Sequence, residues 1–587
     1  MASSSSSSVS SKRLSMSFTF AAASKLPKFT KALLAAFLLL ILQVSGEAVP
    51  SAAAAQSEGQ GQGSSLPLDS ESHSLSLEVE QFRKASAVLR PLLGVLPKNE
   101  EGKLGDSAVK YALHHFFVRK FAWHVRGLDS AGQSWNQTTL LDVPILKDLP
   151  EETRSLFQER LKSGGLTEHE CTVLAVTIWQ LIHQKSEVQL LKTFHFFDLH
   201  TSDTLDSAKA TQVVGAYMAA FVLDRDISKV VPAKMMQVLG KMDKVYPRWP
   251  GLQRIIQQEV SVEQARRGSD VLRYSSINRI RENVDERFGY WQVPECIELK
   301  DLLLSKEDHG TGRIRLADFY KAGLDGNFQF RESAEWLREL GALEEASSYS
   351  GGEPRVIIEN YISGASNSIG SSPYHDSRCI SECENLMETI QLRFSSPSAQ
   401  PEELSSFVST LPSRTMKAPR DLGTVQRQRL NSIAEENGGA VPLTGRLFAQ
   451  WMHHSYPREC PYPHLAGSTN PHIYTKITEI RKGISSKEQM TSIAAQKPRQ
   501  DAPILTAPWQ PGEELPAPIQ SANSEPPRFL MQLHLLLLLA VFACSAFSVA
   551  KLACRACRGR RADKVNRQPL PPGVGGLGQQ HQPQLAV

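Results

Sequence analysis

The sequence predicts a mainly α protein: a multi-helical ectodomain with a degenerate EF-hand-like helix-loop-helix, plus one C-terminal transmembrane helix. Three observations carry that reading. Apolar residues recur at helical spacing through much of residues 76–350, while period-two runs are scarce. One loop there keeps the glycine and the isoleucine of a calcium-binding turn at the proper offset. Near the C-terminus, Phe529 to Ala550 is a run of 22 residues without a formal charge, long enough to cross a bilayer.

Composition narrows the field first. The 587 residues hold 65 Lys+Arg against 61 Asp+Glu, a net charge of +4. That near-neutral balance argues against a dedicated nucleic-acid binder, which concentrates basic charge on one face. Eight cysteines in a chain of this length exclude a disulfide-dense miniprotein.

Residues 1–46 read as a signal peptide. No acidic residue precedes Glu47, lysines and arginines lead into the apolar run Ala32 to Leu42, and Ser45 and Gly46 follow. A bipartite organelle leader has a similar Ser-rich, acid-free composition and is the alternative. Residues 47–75 are rich in Ala, Gly, Gln and Ser, too poor in apolar bulk to offset the entropy of ordering.

The helical domain spans residues 76–350. Val109, Leu113, Phe116 and Phe117 share one helix face, with Asp106 at the cap position. Thr167 to Glu170 is a capping-box pattern ahead of the run Val173 to Ile182. Asp203 to Asp206 starts a helix as an N-cap, ahead of the helical spacing of Val213, Val214, Tyr217, Met218 and Phe221. The EF-hand-like turn runs from Glu307 to Asp318, with Gly312 at loop position 6 and Ile314 at position 8. Its candidate ligand set for weak Ca²⁺ is Glu307, Thr311, Arg313 and Asp318. His309 stands where a hard cation wants oxygen, and Arg313 and Arg315 add repulsive charge. The backbone-shaping residues survive better than the ligands, which suits a loop kept for packing.

Residues 351–475 form a second Cys/His/aromatic module. Arg355 to Glu359 is its fair strand candidate, Pro401 starts a helix, and Gly438-Gly439 ends another. Cys379-x3-Cys383 together with Cys460-x3-His464 has zinc-type spacing. A disulfide from Cys460 to Cys379 or Cys383 is the rival, favoured by an oxidising compartment. Cys171 and Cys296 lie in helical patterns and read as buried small hydrophobes.

Residues 476–528 are Pro-rich and read as an extended stalk. The transmembrane helix at 529–550 is followed by a basic tail, 551–587, whose arginines and lysines make it cytoplasmic. With a cleaved signal this is a single-pass type I protein of the secretory pathway or plasma membrane, its core lumenal or extracellular. Asn136 heads the only glycosylation sequon. Cys554 and Cys557, among juxtamembrane arginines, are palmitoylation candidates.

Three segments resemble a family of algal and protist single-pass membrane proteins with no assigned activity. They are Cys296 to Tyr320, Asn360 through Glu384, and Gly445 to His464. The first carries TGR-x-x-L-x-x-FY, from Thr311 to Tyr320, and the last carries GRLFAQWMHH and ECPYPH. The resemblance spans about residues 80–475 and implies one extended architecture and nothing catalytic. No P-loop, HExxH or GxSxG pattern occurs. The expectation is therefore a non-enzymatic membrane-anchored ectodomain that binds a protein partner or acts as a scaffold, with no cofactor. A Ca²⁺-responsive ectodomain is the alternative, and an enzyme around Trp451 to His464 is the third reading.

Overall fold

A computed structural model describes residues 69–128, 139–307, 310–326, 330–345, 352–470, 483–497 and 508–516. The expected signal peptide, the sequon at Asn136, the apolar run 529–550 and the tail with Cys554 and Cys557 lie outside the described residues. No helix among the described residues is long and apolar enough to cross a membrane.

The described chain is mainly helical with few, short strands. Its first helices are α1 (Asp69–Val95), α2 (Asp106–Phe121), α3 (Glu151–Lys162), α4 (Glu168–Phe196) and α5 (Ser207–Val222). α1 begins inside the segment expected to be disordered. Thr167 and Glu170 form the capping box that starts α4: the Glu170 N–H donates to Thr167 Oγ1 at 3.2 Å, and the Thr167 N–H donates to Glu170 Oε2 at 2.8 Å. Asp206 caps α5 by accepting the Lys209 N–H at 2.7 Å. Asp106 is not a cap. It is the first residue of α2, and its carboxylate accepts the Leu140 N–H at 2.8 Å.

Next come α6 (Pro232–Leu239), α7 (Met242–Val245), α8 (Trp249–Arg267), α9 (Tyr274–Trp291), α10 (Val293–Leu304), α11 (Leu316–Asp325), α12 (Ala334–Glu339) and α13 (Ile358–Ile362). The chain closes with α14 (Cys383–Phe394), α15 (Pro401–Ser409), α16 (Gly423–Glu436), α17 (Arg446–Ser455) and α18 (Lys487–Ala494).

One local device recurs. Two loops meet through a one- to three-residue antiparallel contact, and each loop then enters a helix. Leu104 bridges Leu166, just ahead of α2 and α4. β2 (Thr204–Leu205) pairs with β3 (Leu272–Arg273), ahead of α5 and α9. β4 (Arg313–Arg315) pairs with β6 (Arg355–Ile357), ahead of α11 and α13. Glu332 bridges Ile484, ahead of α12 and α18. β9 (Ser398–Ala399) pairs with β10 (Val441–Pro442), ahead of α15 and α17. The contact satisfies backbone groups that the loops would otherwise leave unpaired. In four of the five contacts it also drives an apolar side chain from each loop into the core: Leu104, Leu166, Leu205, Leu272, Ile314, Val356, Ala399 and Val441 are all buried. The EF-hand-like turn read at one place is thus one of several loops that pair in this way, each ahead of a helix.

The boundary expected at residue 350 does not separate two cores. β4 and β6 lie on either side of it in one sheet, which β5 (Leu343–Glu344) completes. Phe319 and Tyr320 share a core with Val356, Tyr361, Cys379 and Met490. A second sheet, β1 (Trp123–Val125), β8 (His375–Ser377) and β7 (Gly370–Ser371), ties the first helices to the later module. The strand read at Arg355 to Glu359 is shorter than expected, because Ile358 already begins α13.

The Pro-rich stretch is also not wholly a free stalk. Met490 of α18 is buried in the shared core. Residues 508–516 lie on α17: the Arg446 guanidinium donates to the carbonyls of Gln510 (2.7 Å) and Gly512 (2.8 Å), and Glu513 accepts the Leu447 N–H at the N-terminus of α17 (3.1 Å). Prolines lack a donor but not a carbonyl, and this segment is held mainly as an acceptor, with Gln450 and the Tyr462 hydroxyl donating to the Pro508 carbonyl beside the Arg446 contacts.

Candidate functional site: a hand closed by an internal arginine

The fold brings the EF-hand-like loop and the ECPYPH segment into direct contact. Gly312 has φ +69°, the left-handed region that favours glycine. A Cβ there would lie 2.1 Å from the Pro457 carbonyl oxygen. Two independent constraints, one conformational and one steric, therefore require glycine at loop position 6.

Glu307, at loop position 1, turns its carboxylate inward. One oxygen accepts the Gly312 N–H at 3.0 Å, and the other pairs with the guanidinium of Arg458. The Glu307 side chain is only 5% exposed, so this charge has exchanged water for a guanidinium. Asp318 sits in the first turn of α11 and is held by Arg315 at 2.5 and 2.8 Å. Arg313 is buried; it donates to Glu344 Oε2 at 2.5 Å and to the Thr311 carbonyl at 2.9 Å. The expected ligand set therefore does not converge on one point. Its carboxylates are taken by separate internal cations, and Arg313 contributes positive charge, not a ligand. Among the described residues no group of three His, Cys, Asp or Glu side chains could hold a metal ion.

Two histidines of the module, His453 and His464, are committed to backbone carbonyls. His453 Nδ1 lies 2.7 Å from the Cys460 carbonyl, and its Nε2 lies 3.2 Å from Arg313 Nη2. A carbonyl can only accept and a guanidinium can only donate, so Nδ1 carries the proton and Nε2 is the bare acceptor. Burial and Arg313 both push the His453 pKa well below its ordinary value, in keeping with that neutral ring. His464 Nε2 donates to the Gly341 carbonyl at 2.7 Å. The Asn360 side chain accepts the Tyr462 N–H (2.7 Å) and donates to the Tyr462 carbonyl (2.9 Å), gripping the segment as a neighbouring strand would.

Two disulfides staple this arrangement. Cys383, the first residue of α14, bonds Cys460 (S–S 1.95 Å), which decides between the two partners left open for Cys460. Cys379 bonds Cys296 of α10 (S–S 2.05 Å). The assignment of Cys296 as a plain buried hydrophobe is thereby corrected. Its helical context concealed that it faces the loop carrying Cys379. The zinc alternative fails for the same reason, since the three sulfurs it needs are oxidised and His464 is engaged elsewhere. Cys171 is the unpaired thiol among the described residues, and burial pushes its pKa up to about 12.

Beside the staples lies a buried ionic knot that the sequence did not signal. Lys300 Nζ stands 2.7 Å from Glu359 and 3.0 Å from Glu382. Burial raises the Glu359 pKa to about 7 against the pull of Lys300. Arg414 joins Glu382 at 3.1 Å. These charges link α10, α13 and the approach to α14. No protein family model, curated relative or solved structure matches the chain.

Proposed function

We propose that this chain is a non-enzymatic, calcium-independent ectodomain, anchored to a membrane through residues 529–550 and serving as a scaffold or protein-binding module. The observation that carries the reading is the Arg458–Glu307 pair: the position-1 carboxylate of the hand is neutralised by a residue of the chain itself. A loop closed in this way has no need of a metal to hold its shape. The two disulfides fit an oxidising compartment, which agrees with a lumenal or extracellular core. His453 and His464 each spend their hydrogen bonds on architecture, which lowers the case for catalysis around Trp451 to His464.

The test is calorimetry on the oxidised full-length protein. Titration with Ca²⁺ should show no binding tighter than ~10⁻⁴ M, weaker than sensor hands, and EGTA should leave the melting temperature unchanged. Micromolar binding lost in Glu307→Gln or Asp318→Ala would overturn the proposal in favour of a Ca²⁺-responsive ectodomain.

A further inference from the structure

A cavity of about 320 Å³ lies between α4, the C-terminal end of α5 and the β7–β8 turn. That volume is in the range of small-ligand pockets. Its inner wall is aromatic. The His375 ring centroid is 4.7 Å from that of Trp123 and 5.8 Å from that of Phe221. Trp123 and His375 are almost fully buried.

The ionic groups around it are already paired within the chain. Lys185 is held by Asp148 (2.8 Å) and Lys192 by Asp226 (3.1 Å). Asp285 is held by Arg281 (3.0 Å) and the Tyr217 hydroxyl (2.8 Å), and Asp224 accepts the Ser371 hydroxyl (2.9 Å). The remaining cations at its mouth, Arg225 and Lys229, are exposed, where water screens them. The cavity thus offers no uncompensated buried charge with which to select an ion.

It does offer a neutral hydrogen-bonding ring. His375 Nδ1 is 3.0 Å from Ser372 Oγ, whose hydroxyl hydrogen goes to the His375 carbonyl at 3.0 Å, so Nδ1 carries the ring proton and Nε2 is the acceptor nitrogen. Burial, with help from Arg126, keeps the ring unprotonated.

We propose that this cavity binds a small uncharged heteroaromatic molecule, packed against Trp123 and Phe221 and hydrogen-bonded to His375 Nε2. Stacking supplies the affinity, and the ring N–H of the ligand supplies orientation. This site is independent of the hand at Glu307.

The test uses the oxidised full-length protein with indole as probe. Tetramethylammonium and benzoate serve as charged comparators, and 1-methylindole as the probe without a donor. Ligand-observed NMR and calorimetry should show indole binding at least tenfold more tightly than either ion and about tenfold more tightly than 1-methylindole. Ala220→Leu, which fills the cavity, should abolish binding. Phe221→Leu, a milder change, should weaken it about tenfold. The proposal is overturned if folded protein binds no indole, or if an ion binds as well. It is equally overturned if 1-methylindole equals indole, or if Phe221→Leu with an unchanged melt binds as the parent does.

Discussion

Replacing Arg458 with alanine tests the closed hand directly. The substitution leaves the Glu307 carboxylate, 5% exposed, with the Gly312 N–H as its remaining partner. Exposed pairs contribute about 0–1 kcal/mol. Disrupting a fully buried pair costs about 3–5 kcal/mol, because one charge stays buried and uncompensated. Arg458 is 29% exposed, so the pair falls between these limits, and we expect a local cost of about 2 kcal/mol. That is roughly a 30-fold rise in the population of the opened loop. Hydrogen–deuterium exchange of the Gly312 amide reads this quantity without requiring the whole chain to unfold. Glu307→Gln combined with Arg458→Ala should recover most of the protection, since no charge is then stranded. Millimolar Ca²⁺ should slow exchange in Arg458→Ala and leave the parent unaffected. A change below threefold in the single variant, or a double variant that exchanges as fast as the single, would refute the reasoning.

Non-reducing peptide mapping should recover Cys296–Cys379 and Cys383–Cys460, with no Cys379–Cys460 species. The bridged residues are separated by 83 and 77 positions, so removing either bond should cost about 4.5 kcal/mol in the chain-entropy model, measured by denaturant titration. Gly312→Ala meets both the positive φ and the Pro457 carbonyl, and should destabilise the hand by ~3 kcal/mol, read as faster exchange across residues 310–318. Burial first, then Arg126 and His183, lower the His375 pKa to about 3. Its unfolded value is higher, so the unfolded chain takes up the proton first. The stabilising contribution is present in full above pH ~6.5 and is lost as pH falls toward 3. His375→Phe should therefore flatten the acid limb of the melting curve between pH 6 and 4, and an unchanged limb would exclude His375 as its source.

Features encoded within a few residues were legible in the sequence. Thr167 with Glu170, Asp206, Pro401 and Gly438-Gly439 each act on their own helix end, so spacing alone exposes them. Gly312 and Ile314 were legible because a tight turn and a buried loop centre demand those residue types. The pairing of loops was not. Leu205 meets Leu272, and Ala399 meets Val441, across tens of residues, and one small apolar side chain in a polar loop gives no sign of its partner. The arginine at Glu307 was hidden for the same reason, being supplied from beyond α17. The odd cysteine count did hold usable information. Cys171 directly precedes the apolar run Val173 to Ile182 on a buried stretch of α4 and is the residue left unpaired, which frees Cys296 to pair.

The pairing of loops sets where the chain can be divided. A fragment ending near residue 350 would keep Arg313–Arg315 and discard Arg355–Ile357, exposing a strand edge with the apolar Ile314 at its centre. Such an edge is a template for another molecule, so that fragment should self-associate even if all its helices form. A cut at 470 would keep β4 and β6 together but remove Ile484 from Glu332 and Met490 from the core. Soluble expression therefore requires that both members of every loop pair remain on one piece, which extends the minimal fragment at least from Leu104 to Ile484.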